Sequence, residues 1–93
     1  MTFSALKDPA AVLDYKIDWT LVLQSVTPTD TIATSSWVAD NGLAIDSDSN
    51  TTTDTTVWVS DGTLGSISKL VNTITTTGGR THVRTINVSL RGT

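Results

Sequence analysis

Leu13-Asp14-Tyr15-Lys16-Ile17-Asp18-Trp19-Thr20-Leu21-Val22-Leu23 is the stretch whose reading decides the fold class. Leu13, Tyr15, Ile17, Trp19, Leu21 and Leu23 occupy every second position, with Asp14, Lys16, Asp18 and Thr20 between them. Side chains of an extended strand alternate between two faces, so this order turns one face inward and leaves the other in water. Wound as a helix, the same six residues would scatter around the cylinder. The pattern predicts a half-buried strand over 13–23, with Trp19 as its largest anchor.

Outward from there, Ser25 to Asp30, with Pro28 inside, breaks the chain. Thr31 to Val38 reads as a second strand, Ile32 and Val38 on one face and Trp37 on the other. Asp40-Asn41-Gly42 supplies turn chemistry, and Leu43 to Asp46 reads as a short strand. Ser47 to Thr55 is a polar connection, loop or edge strand, before Thr56-Val57-Trp58-Val59, which is dense in strand formers. Asp61-Gly62 and Gly65 punctuate the next connection. Ile67 to Thr77 and Arg80 to Leu90 then flank Gly78-Gly79, a pair that can supply both positive-φ residues of a two-residue hairpin turn. Such a turn sets Val71 opposite Ile86 and Ile74 opposite Val83. Ile86, Val88 and Leu90 form the buried face of the last strand. Upstream, Asp8-Pro9 disfavours helix, so residues 1–11 read as an irregular lead-in to a domain over 12–93. Short strands between turns, with no helical period, predict an all-β fold, a single immunoglobulin-like antiparallel β-sandwich of about six to eight strands.

Composition points the same way. All nine acidic residues are Asp, and Thr and Ser dominate the polar set. Asp and Ser bond to local backbone and favour turns, while Thr is β-branched and suits a pleated surface. Ninety-three residues bury a thin core, and no cysteine is present to staple it, which fits folding in a reducing cytoplasm. The first residues lack a charged start followed by a long apolar run, so neither a signal peptide nor a membrane span is expected. Charge is divided along the chain. Residues 1–61 carry the nine Asp against Lys7 and Lys16, a balance of −7, and residues 62–93 carry Lys69, Arg80, Arg84 and Arg91 with no acid. Basic strands lying beside acidic ones, or copies docking through complementary faces, both account for that division.

Reactive chemistry finds little footing. The chain has no Cys and no Glu, and its serines lie in no G-x-S-x-G elbow. His82, the one histidine, reads as a surface residue beside the hairpin turn. Asp46-x-Asp48-x-Asn50, with Asp54 further on, has calcium-loop oxygen spacing. Thr51 then stands where such a loop needs Gly, and Val57 where it needs a bidentate Glu, so no metal and no cofactor is expected. The basic third, residues 62–93, holds no aromatic, and cations without stacking platforms in an acidic chain argue against nucleic acid. The expectation is a non-enzyme working through its surfaces, with Trp37 and Trp58, each opposite its aliphatic neighbours, as interface candidates.

Several strings resemble one family. Lys7-Asp8-Pro9 with Leu13-Asp14-Tyr15-x-x-Asp18-Trp19 is similar to the opening of small proteins encoded among tailed-bacteriophage structural genes, often labelled phage fiber–tail adaptor proteins. The likeness continues through Asp30-Thr31-Ile32-Ala33-x-Ser35-x-Trp37, Gly42-Leu43, Thr55-Thr56-Val57-Trp58-Val59-Ser60-x-Gly62-Thr63-x-Gly65 and Asn72-x-Ile74-Thr75-Thr76-x-Gly78-Gly79-Arg80-Thr81. Ser66-Ile67-Ser68 and Asp61 depart from the pattern. The resemblance implies a virion structural protein, assembled in the host cytoplasm, present in multiple copies and bound to other virion proteins of tail, neck, fibre or capsid. It implies an adaptor linking tail and fibre proteins, and it brings no catalytic residue. A capsid decoration (cement) protein on the major capsid protein, or a carbohydrate- or surface-binding module, are the rival roles. Many weak contacts multiplied by symmetry hold a particle protein in place. The candidate docking residues are therefore Arg80 and Arg84 of the basic hairpin together with Trp37 and Trp58.

Overall fold

Strands form where β-branched and aromatic residues alternate with polar ones, and the turn residues separate them. The computed structural model describes residues 2–8 and 10–91. It holds seven strands and one helical turn: β1 (Thr2–Lys7), β2 (Leu13–Asp18), α1 (Thr20–Leu23), β3 (Ile32–Ala39), β4 (Leu43–Asn50), β5 (Asp54–Asp61), β6 (Ile67–Thr76) and β7 (Thr81–Leu90). Two sheets result, in the orders β1-β7-β6-β3 and β2-β5-β4. Every pairing is antiparallel except that of β1 with β7. The all-β sandwich read from the sequence is what the chain forms.

The core lies between the sheets. Ile17, Val57 and Val59 from one side meet Leu70, Ile74, Ile86, Val88 and Leu90 from the other, and Trp19, Leu23 and Trp37 belong to the same cluster. Each fully buried Val or Leu contributes roughly 1.5–3 kcal/mol. Ile86, Val88 and Leu90 are buried as their alternation predicts.

Four local readings change. The alternation of 13–23 does not run as one strand, because β2 stops at Asp18. Asp18 Oδ1 accepts the Thr20 N–H (2.9 Å) and the Thr20 hydroxyl, and Leu23 N–H closes a turn on Trp19 O (3.0 Å). Helical spacing puts Trp19 and Leu23 on one side, so both are buried while Leu21 is 82% exposed. In β3, Ile32 pairs with Thr76 but Thr34 with Thr75, so Ala33 is an extra residue. This bulge inverts the parity, turning Ile32 and Trp37 inward and Val38 outward. The hairpin loop has three residues, not two. Thr76 N–H donates to Arg80 O (2.8 Å), Gly79 N–H donates to Thr76 O (3.0 Å), and Gly79 takes φ +85°. Leu70 rather than Val71 therefore faces Ile86, and Ile74 faces His82. Lastly, residues 2–7, in the stretch read as an irregular lead-in, form β1, whereas Met1, Pro9, Gly92 and Thr93 lie outside the described residues. The polar stretch after Asp46 is edge strand as far as Asn50.

Candidate functional site

Of the four candidate docking residues, the fold takes two inside. Trp37 is 8% exposed, packed in the core, and its indole N–H has no hydrogen-bond partner among the described residues. Arg84 is also 8% exposed, because it shares the inward row of β7 with Ile86, Val88 and Leu90. Its guanidinium lies 4.3 Å from the centre of the Trp19 ring and donates from Nη1 to Asp18 O (3.1 Å). Burial works against its charged form, and the Asp18 carboxylate opposes that effect. A buried cation on an aromatic face clamps β7 to the end of β2.

Beneath that clamp is a polar knot that sequence reading missed. The Trp19 indole N–H donates to Asn72 Oδ1 (3.1 Å) and Thr55 Oγ1 (3.3 Å), and the Thr55 hydroxyl donates to the same Oδ1 (2.7 Å). Asn72 Nδ2 donates to Ser35 Oγ (3.0 Å) and Ser36 O (2.9 Å). Asn72 and Thr55 have no exposed surface, and the knot ties four strand regions together without an orphan atom of its own. The only clue in the sequence was Asn72 in an otherwise strand-forming run. His82 sits beside this knot, half-buried, its ring 6.2 Å from that of Trp19.

Arg80 and Trp58 remain accessible. Arg80 Nη1 donates to Asp30 Oδ2 (3.1 Å), with 46% of the Arg80 side chain exposed against 4% for Asp30. Asp30 also accepts N–H groups of Thr31 and Gly78 (both 3.0 Å) and the Thr77 hydroxyl (3.2 Å). The Thr76 hydroxyl does most to hold its carboxyl well below the usual carboxylate range. Desolvation opposes this, and the Gly78 and Thr31 N–H groups and Arg80 add to it. Gly78 fits that corner, since a Cβ would stand 2.5 Å from Arg80 Nη1 and 3.0 Å from Asp30 Oδ2. The corner borders a surface cleft of about 330 Å³ with Thr27, Pro28 and Thr29 on its other wall. Trp58, 44% exposed, points away from Val57 and Val59 onto the outer face of β2-β5-β4, opposite Asp14 on one neighbour and Ser47 on the other.

A second cleft of about 350 Å³ opens between the sheets beside β2, lined by Ala5, Tyr15, Lys16, Ile17, Asp18, Arg84 and Ile86. Burial pushes the Tyr15 hydroxyl up, away from ionisation. The calcium-spaced residues do not converge. Asp46, Asp48 and Asn50 lie along extended β4, where Asp46 accepts the Ser60 hydroxyl (2.8 Å), and Asp54 pairs with Lys16 (3.2 Å). Among the described residues, no three acidic, His or Cys groups gather to hold a metal. No helix among them is long and apolar enough to cross a membrane.

These features define a two-sheet β-sandwich with a buried polar knot, an ion-paired hairpin corner and an exposed tryptophan on one outer face. Residues 7–89 match the family described as podophage GP4 fiber-tail adaptor protein gp77, and the chain belongs to that family. It thus falls among structural proteins of the phage virion, as its sequence motifs implied. Among curated proteins, none matches the chain.

Proposed function

We propose that this protein is a non-enzymatic adaptor in the neck and tail region of a podophage particle, present in several copies and linking tail to fibre proteins. The family match over residues 7–89 carries the reading. The strand orders β7-β6-β3 and β2-β5-β4 support an immunoglobulin-like sandwich, since they reproduce the two sheets of that topology with β1 added parallel at one edge. Trp58 and Arg80 are the docking elements, because they alone among the four candidates stand exposed on ordered strands or a fixed hairpin. Trp is enriched among interface anchors, and a half-exposed Arg presents planar donors to a partner's carboxylates.

Counting copies per purified particle by quantitative mass spectrometry, against the major capsid protein, tests this. About a dozen copies, or a small multiple, is the expected result for a ring at the neck or tail. Hundreds would make the chain a shell decoration protein, and absence from purified particles would return the surface-binding module to first place.

A further inference from the structure

The two outer faces of the sandwich differ in charge. On the face of β2-β5-β4 stand Asp14, Asp18, Asp46 and Asp54 with one cation, Lys16, around the exposed Trp58. Among the described residues, the outer face of β7-β6-β3 carries no carboxylate. Its cross-strand rows read Val38-Val71-Thr85, Ser36-Thr73-Val83 and Thr34-Thr75-Thr81. Val38 and Val83 are more than half exposed there. Lys69 is the charged side chain on that face, and Arg91 is exposed just beyond β7. The Asp40 carboxylate stands at the rim with its Oδ1 accepting the Lys69 N–H (2.6 Å).

We propose that a second copy of this chain is the partner these faces fit, the acidic face of one copy stacking on the acid-free face of the next. Trp58 then covers the exposed valines, and the carboxylates around it face Lys69 and Arg91. Stacking acidic face on acidic face would set like charges against one another, an arrangement that repulsion disfavours. The complementary contact has no such penalty, and it uses a different surface on each partner. Each copy therefore keeps one face open for a further copy, and the contact propagates into a ring or a stack. This deepens the multi-copy reading above, on which it rests, by naming the contact between copies.

The chain has no cysteine, which makes single-cysteine cross-linking clean. Ser47→Cys marks the acidic face beside Trp58, and Val83→Cys marks the other. Each purified full chain, with folding checked by circular dichroism, is treated with a short bismaleimide, alone and as an equal mixture. The expected result is that the mixture yields heterodimers, joined through position 47 of one chain and position 83 of the other, at least tenfold above the homodimers of either variant alone. That yield falls at least tenfold in 1 M salt or when Trp58→Ala is added to the Ser47→Cys chain. Homodimers as abundant as heterodimers would overturn the proposal, as would a mixed yield no higher than that of the urea-unfolded chains. The purified chain is probed outside the particle, so a failure here is distinguishable from an unexpected copy count.

Discussion

Trp19 and Trp58 stand on neighbouring paired segments, yet one closes the molecule and the other opens it. Trp19 follows β2 into a helical turn and is 1% exposed, its N–H held by Asn72 and Thr55 and its face covered by Arg84. Trp58 lies mid-strand in β5 with its ring on the outer face among Asp14 and Ser47. A large amphipathic ring is stable in either setting, provided that its polar atom finds a partner or water. What separates the two is the company that the fold provides. Interior polar residues gathered around the first, whereas the second received only solvent and charge.

Asn72→Leu breaks the closed side most severely. It removes the acceptor shared by the Trp19 N–H and the Thr55 hydroxyl, and the donor to the Ser35 hydroxyl and the Ser36 carbonyl. A loss of about 2–4 kcal/mol in denaturant unfolding is expected. A loss under about 0.5 kcal/mol would show that the knot contributes nothing beyond packing.

Asp30→Asn addresses the hairpin corner, where closed and open regions meet. The folded-state pKa of Asp30 is depressed, so its contribution is complete above the ordinary carboxylate pKa of about 4 and drains away as pH falls below it. The wild-type protein therefore melts above the variant at pH 7, and the gap narrows steadily from about pH 4 down to about pH 2. Thermal melts with an equal gap at both ends of that range would contradict the network drawn around this carboxylate.

Trp58→Ala sharpens the open side. Stability changes by less than about 1 kcal/mol, because the ring is largely outside the core. Incorporation into particles nevertheless drops when the variant competes with wild-type chain during assembly. Equal incorporation would remove Trp58 from the docking surface.

The strand identities were legible because alternation is a local property. Val57-Trp58-Val59 and Ile86, Val88, Leu90 take the faces that their spacing predicts. The misplaced candidates, Trp37 and Arg84, have different causes. Ala33 inserts a bulge into β3 and turns Trp37 inward, whereas Arg84, a candidate for its charge, stands on the row of Ile86, Val88 and Leu90. Because side chains repeat every second residue, an offset of one exchanges the inner and outer faces. The bulge has no local signature strong enough to read beforehand, whereas the burial of Arg84 was already written in the alternation of β7. Trp58 escaped this fate because its neighbours on both sides, Val57 and Val59, pin the parity of β5 at the residue itself.

The sequence by itself determined the class of fold, the positions of most turns, the uneven division of charge and the family, since each depends on residues near one another in the chain. Tertiary structure alone decided that Arg84 lies on Trp19, that Asn72 joins two sheets, and that the acids and the acid-free rows occupy opposite faces. Those outcomes depend on register and on which sheet each strand joins. Both are set by long-range pairing, in which the contacting residues are separated by tens of positions and a single extra residue redirects every side chain beyond it.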